Sequence, residues 1–131
     1  KYAQEQNLRL ALVSNSTAPY ISRWLNKLGL RDVFSCVVTR TPEVPGKPAP
    51  DLYLAALQKT GLAARNVLAV EDSMLGLRAA CAAGVCAVAY PNEATREEVT
   101  KSFGFCADLG RISPQALIDQ TEHFYRQKTA G

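Results

Sequence analysis

The 131-residue sequence lacks several features that would point to common classes of protein. No apolar run approaches the roughly 20 residues that a membrane-spanning helix needs. The first six residues carry no apolar stretch of the kind found in secretion signals, so the cytoplasm is the expected location. The four cysteines show no C-x-x-C spacing, which argues against a zinc knuckle and a disulfide framework. The formal net charge of +3 comes from scattered lysines and arginines, which favours a small anionic substrate over nucleic acid.

What the sequence contains predicts one soluble α/β domain over residues 1–131. Apolar runs rich in β-branched residues alternate with segments of helical period, and glycine or proline marks most junctions. This pattern is typical of a parallel sheet with crossover helices on both faces, a doubly wound three-layer arrangement. The predicted strands are 8–13, 33–39, 67–70 and 85–90. The predicted helices end at Gly29, Gly61 and Gly84, and a last one opens at Ser113-Pro114.

Small polar residues follow the first predicted strand, at Ser14-Asn15-Ser16-Thr17. In open parallel sheets, ligands bind at the carboxyl ends of the strands. A hydroxyl beside a helix N-terminus, with its unpaired N–H groups, makes an anion site. The alternative is that Ser14, Ser16 and Thr17 simply cap the helix.

Two further clusters follow later in the chain. Lys47 lies between a glycine and a proline just ahead of a helix. A second proline further limits the backbone, so the Lys47 ammonium is held more firmly than that of a typical loop lysine. The alternative is a solvated lysine, as most lysines are. Glu71 and Asp72 end a buried strand, where two adjacent carboxylates suit Mg²⁺. The alternative for the acidic pair is helix capping by Asp72 or Ser73.

Read in order, these three clusters resemble the second, third and fourth motifs of the haloacid dehalogenase superfamily. The matching segments are 10–16 (LALVSNS), 46–51 (GKPAPD) and 67–73 (VLAVEDS). The sequences of these segments are most similar to those of the β-phosphoglucomutase and small-phosphatase branch. The resemblance extends from about residue 8 to the last helix. It implies a Rossmann-like core and a Mg²⁺-dependent enzyme that acts on a small phosphorylated metabolite, a phosphatase or phosphomutase.

The resemblance also implies roles for individual residues. Ser14 would bind the transferring phosphoryl group through its hydroxyl, helped by the Asn15 backbone N–H. Lys47 would neutralise charge on the phosphoryl group and on the nucleophile. Glu71 and Asp72 would hold Mg²⁺, with Asp72 favoured as the direct ligand.

One motif of that family is missing from the printed residues. The family's attacking aspartate and its acid–base partner stand as Asp-x-Asp after the central strand, and no two aspartates here have that spacing. By resemblance, the core is therefore incomplete, without its central first strand and without the cap domain that selects substrate. We expect the isolated chain to be inactive, as a truncated enzyme core. The alternatives are a non-catalytic module that binds phosphate and Mg²⁺, or a structural remnant.

The missing strand would leave two strand edges, those ending at Ser14 and Glu71, facing a gap. Unpaired backbone groups in such a place are costly. We expect the gap to be closed by direct pairing of those strands, or by a homo-oligomer or strand-donating partner, which could also supply the nucleophile.

Overall fold

A computed structural model of the chain describes residues 1–103, 106–107 and 110–130. The elements in chain order are α1 (Tyr2–Glu5), β1 (Ala11–Ser14), α2 (Ala18–Lys27), β2 (Cys36–Thr39), α3 (Asp51–Thr60), a 3₁₀ turn (Ala64–Asn66), β3 (Leu68–Glu71), α4 (Met74–Ala82), β4 (Cys86–Ala89), α5 (Arg96–Ser102) and α6 (Pro114–Thr129). The four predicted strands and the helices predicted around them are thus present. The structure is mixed α/β with parallel strands, as the sequence predicts.

The strands form two parallel pairs. In the first, β1 lies beside β2, with the register running from Ala11 opposite Cys36 to Ser14 opposite Thr39. In the second, β3 lies beside β4 and ends with Glu71 opposite Ala89. The carboxyl ends of β1 and β3 therefore carry the polar residues that the sequence singles out.

The helix boundaries follow the predicted stop signals. α3 ends at Thr60, and Gly61 adopts φ +66°, a left-handed conformation that glycine enters without a Cβ penalty. Gly84 lies just beyond the end of α4 and adopts a similar conformation, at φ +75°. Near the end of the chain, the Ser113 hydroxyl accepts a hydrogen bond from the Ala116 N–H and caps α6.

Two hydrophobic clusters hold the strand pairs. α4 packs on β3 and β4, where Leu77 and Val88 are fully buried. α3 packs on β1 and β2, with Leu52 in the centre of the second cluster. Val13 of β1 packs against both clusters and so joins the two halves of the core.

The direct pairing of β1 with β3 that was expected to close the gap does not occur in the described part of the chain, where the two strands belong to separate sheets. The physical reason lies at the end of β1. There the Val13 carbonyl accepts a hydrogen bond from the Lys47 ammonium at 2.9 Å, and the same ammonium bonds Glu71 Oε1, so a side chain rather than a backbone ladder connects the ends of the two strands. Closure by a partner chain stays a prediction.

Helix α5 was not predicted. Its segment, REEVTKS, is almost wholly polar, and Val99 is its one buried residue, so it carries too weak an apolar period to be recognised. Among the described helices, none has the length and apolarity required to cross a membrane.

Candidate functional site

The carboxyl ends of β1 and β3 open into a cavity of about 270 Å³. It is lined by Val13, Ser14, Asn15, Ser16, Lys47, Glu71, Asp72, Ser73 and Leu75. All five residues that the sequence proposes as a phosphate and magnesium site therefore border one cavity, although they come from three separate loops. Their individual roles stay predictions, and the geometry of each residue bears on them differently.

Ser14 ends β1 with its hydroxyl turned into a local turn. The Ser14 Oγ accepts a hydrogen bond from the Ser16 N–H at 3.1 Å. A hydroxyl that accepts one bond still has its own proton to donate, so Ser14 remains able to bind an anion. Thr17 is the N-cap of α2, but its side chain makes no capping bond. The capping alternative therefore fails for Thr17, while Ser14 does bond a backbone N–H just ahead of the helix.

Asn15 has a role that sequence reasoning missed. Its Oδ1 accepts from the Lys47 N–H at 2.7 Å, and its Nδ2 donates to the Lys47 carbonyl at 3.2 Å. These two bonds clamp the lysine loop to the end of β1. The neighbouring Gly46 must lack a side chain, because a Cβ there would lie 2.8 Å from Asn15 Oδ1. The predicted role of Asn15, through its backbone N–H, concerns a different atom and stays open to test.

Lys47 lies at the centre of the arrangement. Its side chain is only 9% exposed, and its ammonium bonds the Val13 carbonyl and Glu71 Oε1. It also lies 5.3 Å from the centre of the Tyr53 ring, within the range of a cation–π contact. A buried ammonium with fixed acceptors on two sides has a defined position, as the rigid Gly46-Lys47-Pro48 frame predicts.

Glu71 turns its carboxylate into the protein. Its Oε1 accepts hydrogen bonds from both the Lys47 ammonium and the Tyr53 hydroxyl. Its Oε2 lies against the first turn of α4, where a Cβ on Gly76 would come within 1.9 Å of it. Burial, and secondly the charge of Glu71, raise the pKa of Tyr53, so the phenol stays protonated and donates. Glu71 thus bonds Lys47 and Tyr53, so of the two acidic residues Glu71 is the less favoured metal ligand and Asp72 the more favoured.

Asp72 is the acidic residue that faces outward. It is exposed, and its Oδ2 accepts a hydrogen bond from Asn92 Nδ2 at 3.0 Å. The residue that caps α4 is its neighbour Ser73, whose Oγ accepts a hydrogen bond from the Gly76 N–H at 3.3 Å. Asp72 therefore does not cap the helix and keeps carboxylate oxygen for a cation.

These residues fit Mg²⁺ only partly. In the described ranges there is no group of three or more His, Cys, Asp or Glu that could hold a metal ion. Mg²⁺ needs no such cage, because it commonly uses one or two carboxylates together with substrate phosphate and water. Asp72 supplies one outward-facing carboxylate at the cavity, and Glu71 as a second metal ligand stays a prediction.

A second, larger cavity of about 550 Å³ lies next to the first and shares Asn15 and Ser16 with it. Its other lining residues are Thr17, Tyr20, Arg40, Thr41 and Pro42. Sequence reasoning gave no weight to Arg40, which follows β2 as a single basic residue without a motif around it. The shared wall means that a molecule bound at the first cavity could extend into the second.

Comparison with known proteins gives a consistent result. A family model described as haloacid dehalogenase-like hydrolase matches residues 1–90. A phosphoglycolate phosphatase of Yersinia pseudotuberculosis is 38% identical over 77 residues, which are 59% of this chain and 33% of that protein. The chain spans about half or less of the length of the curated relatives that it matches.

Solved structures show the same core. CbbY from Rhodobacter sphaeroides, crystallised in complex with phosphate, superposes with a TM-score of 0.74 at 28% identity, over 81% of this chain and 48% of that one. A β-phosphoglucomutase from Clostridium difficile superposes with a TM-score of 0.79 at 20% identity, over 95% of this chain and 53% of that one. The predicted fold class, an incomplete Rossmann-like α/β core, is thereby confirmed.

Proposed function

Because the chain belongs to the haloacid dehalogenase-like hydrolase family, we propose that it forms the phosphate- and magnesium-binding portion of a phosphoryl-transfer enzyme, either a phosphatase or a phosphomutase. One observation carries the proposal. A hydroxyl, an ammonium and a carboxylate from Ser14, Lys47 and Asp72 border a single cavity of about 270 Å³. These are the groups needed to hold a phosphoryl group beside a hard cation.

Each residue has a separate task in this proposal. The Ser14 hydroxyl and the Asn15 backbone N–H donate to phosphoryl oxygens. Lys47 offsets their negative charge, and its buried position makes that interaction stronger than it would be in water. Asp72 holds Mg²⁺, which when bound screens the charge of the phosphate so that a carboxylate can approach it.

The attacking carboxylate is not among the residues described above. The 131-residue sequence contains no Asp-x-Asp, so the nucleophile would come from another segment or another polypeptide. The other edge of β3 suits such a segment, since among the described strands β3 pairs with β4 alone. An extended segment between β1 and β3 would pair with the backbone groups of both strands that Lys47 leaves free, and it would bring its side chains to the cavity.

The substrate class follows from the two adjoining cavities. The smaller one suits a phosphoryl group, and the larger one offers room for the organic portion of a small phosphorylated metabolite. The similarity to a phosphoglycolate phosphatase and to CbbY bound to phosphate supports this class, while the particular substrate is a matter for screening.

Calorimetric titration of the 131-residue chain with inorganic phosphate is expected to show saturable binding that Mg²⁺ strengthens. Asp72→Ala should remove the effect of Mg²⁺ and leave weak binding of phosphate alone, because only the cation ligand is lost. Asp32→Ala removes an exposed carboxylate outside the cavity and serves as the matched control, with wild-type behaviour expected. If phosphate does not bind with or without Mg²⁺, the chain is a structural remnant and the proposal is wrong.

Turnover by the isolated chain is expected to be absent. With no attacking carboxylate, the remaining groups stabilise charge but start no covalent step. The measurement is release of nitrophenol from p-nitrophenyl phosphate with and without Mg²⁺. Binding without turnover fits both the proposed enzyme core and a non-catalytic binding module, and turnover regained on addition of a segment carrying Asp-x-Asp separates the two. Magnesium-dependent turnover by the chain alone would contradict the assignment.

A further inference from the structure

Tyr53 is a buried tyrosine whose hydroxyl reaches the site. It lies in the first turn of α3 and is 7% exposed. Its hydroxyl donates to Glu71 Oε1, the same oxygen that accepts from the Lys47 ammonium. Its ring also faces that ammonium, 5.3 Å from the ring centre. The residue thus contacts the proposed phosphate-binding lysine through its ring and shares the Glu71 oxygen with it.

We propose that Tyr53 is a positioning residue for Lys47: its hydroxyl fixes the Glu71 carboxylate, which in turn holds the ammonium at the edge of the phosphate cavity. The phosphate-binding purpose of this arrangement rests on the proposed function. The contacts among Tyr53, Glu71 and Lys47 do not depend on it. Tyr53 is not among the cavity-lining residues, so it acts through Glu71 and Lys47 rather than on a substrate.

The Glu71 carboxylate is held from three directions. Two donors converge on Oε1, and Oε2 lies against Gly76 in α4. A side chain with this many contacts keeps one rotamer. The Lys47 ammonium, which bonds this carboxylate, is therefore also held in one position. Without the Tyr53 hydroxyl, Oε1 keeps only the lysine as a donor, and the carboxylate can rotate with it.

Lys47 needs such support because its four-carbon stem is flexible. The loop clamp by Asn15 fixes the lysine backbone, but several rotatable bonds separate that backbone from the ammonium. Val13 and Glu71 are the two acceptors that fix the far end. The Tyr53 ring also faces the ammonium and adds a cation–π contact to these two bonds.

The phenol is suited to act only as a donor. Burial first, and the neighbouring carboxylate second, raise the pKa of Tyr53, so it remains protonated throughout the pH range in which the chain would be used. A tyrosine held in this state differs from a phenylalanine by one hydrogen bond. That difference is what the experiment isolates.

The experiment compares Tyr53→Phe with wild type by NMR of lysine-labelled protein, following exchange of the Lys47 ammonium protons with water. Exchange is expected to be at least about threefold faster in the variant, because the carboxylate that holds the ammonium loses a donor. The dissociation constant for phosphate is expected to rise about 3- to 10-fold. Loss of packing alone would change neither quantity.

Tyr125→Phe is the matched control. Tyr125 also carries a hydroxyl in two internal bonds, at 2.8 Å to the Ala87 N–H and to the Ala87 carbonyl, but it does not border the site. This variant should lose stability and keep the wild-type Lys47 exchange rate and phosphate affinity. Equal changes in both variants, or none in Tyr53→Phe, would overturn the inference.

Two further outcomes keep the proposals separate. If wild type binds no phosphate, the proposed function fails, and the Lys47 exchange rate still decides whether Tyr53 orders the ammonium. If Tyr53→Phe does not fold, the wild-type Tyr53 hydroxyl proton is followed instead. Slow exchange of that proton with water supports the bond to Glu71, and exchange as fast as that of the exposed Tyr20 overturns it.

Discussion

Gly76→Ala is expected to destabilise the chain by about 2–3 kcal/mol, although the change replaces a helical glycine with the best helix former. The new Cβ would lie 1.9 Å from Glu71 Oε2 and 2.3 Å from its Cδ. Glu71 cannot simply swing aside, because Lys47 and Tyr53 both hold its other oxygen. The measurement is the free energy of unfolding from urea titration, together with phosphate affinity, which should fall as the ammonium is displaced.

The control for this prediction is the same change in a Glu71→Ala background. With Glu71 shortened to alanine, the three atoms nearest to the added methyl group are gone, and helix propensity is expected to dominate. Gly76→Ala is then expected to stabilise the Glu71→Ala chain by up to about 1 kcal/mol. A neutral or stabilising effect of Gly76→Ala in the wild-type chain would show that Glu71 does not occupy the place described.

Lys47→Met is expected to lower the free energy of unfolding by about 3–5 kcal/mol and to abolish phosphate binding. Methionine has a similar length but no charge, so Glu71 would remain buried with only the Tyr53 hydroxyl as a donor. An unpaired buried carboxylate is far more costly than an unpaired exposed one. The measurements are urea unfolding and calorimetry with phosphate.

Two comparisons separate the causes of that loss. Adding Glu71→Gln to Lys47→Met removes the unpaired charge, so some of the stability should return while phosphate binding stays absent. Lys101→Met breaks the Lys101–Glu97 pair on α5, whose side chains are 72% and 83% exposed, and is expected to have no measurable effect. An equal loss of unfolding free energy in Lys47→Met and Lys101→Met would contradict the buried pairing of Lys47 with Glu71.

Much of the fold could be predicted because it depends on local signals. Gly61 and Gly84 lie at the ends of helices in conformations that suit glycine, and the apolar runs before Ser14 and Asp72 are the strands that the pattern indicates. The grouping of the polar loops followed from one rule, that parallel strands deliver their carboxyl ends to the same edge. These inferences need only the order of residues along the chain.

The internal contacts of the site could not be predicted in the same way. The clamp between Asn15 and Lys47 joins residues 32 positions apart, and the bond between Tyr53 and Glu71 joins residues 18 apart. Neither contact leaves a periodic pattern, because each depends on how separate loops and helices pack. For the same reason, the sequence could place Glu71 and Asp72 together but could not show that one carboxylate faces inward and the other outward.

Lys47 lies between the two strand pairs, bonded to the end of β1 through Val13 and to the end of β3 through Glu71. The same ammonium thus joins the two strand pairs and, in the proposed function, would bind the phosphate. In the proposed function, the two internal acceptors use two of the three ammonium protons, which leaves the third for a phosphate in the cavity. The bonds that connect the strand pairs would then also hold the lysine in place for its ligand.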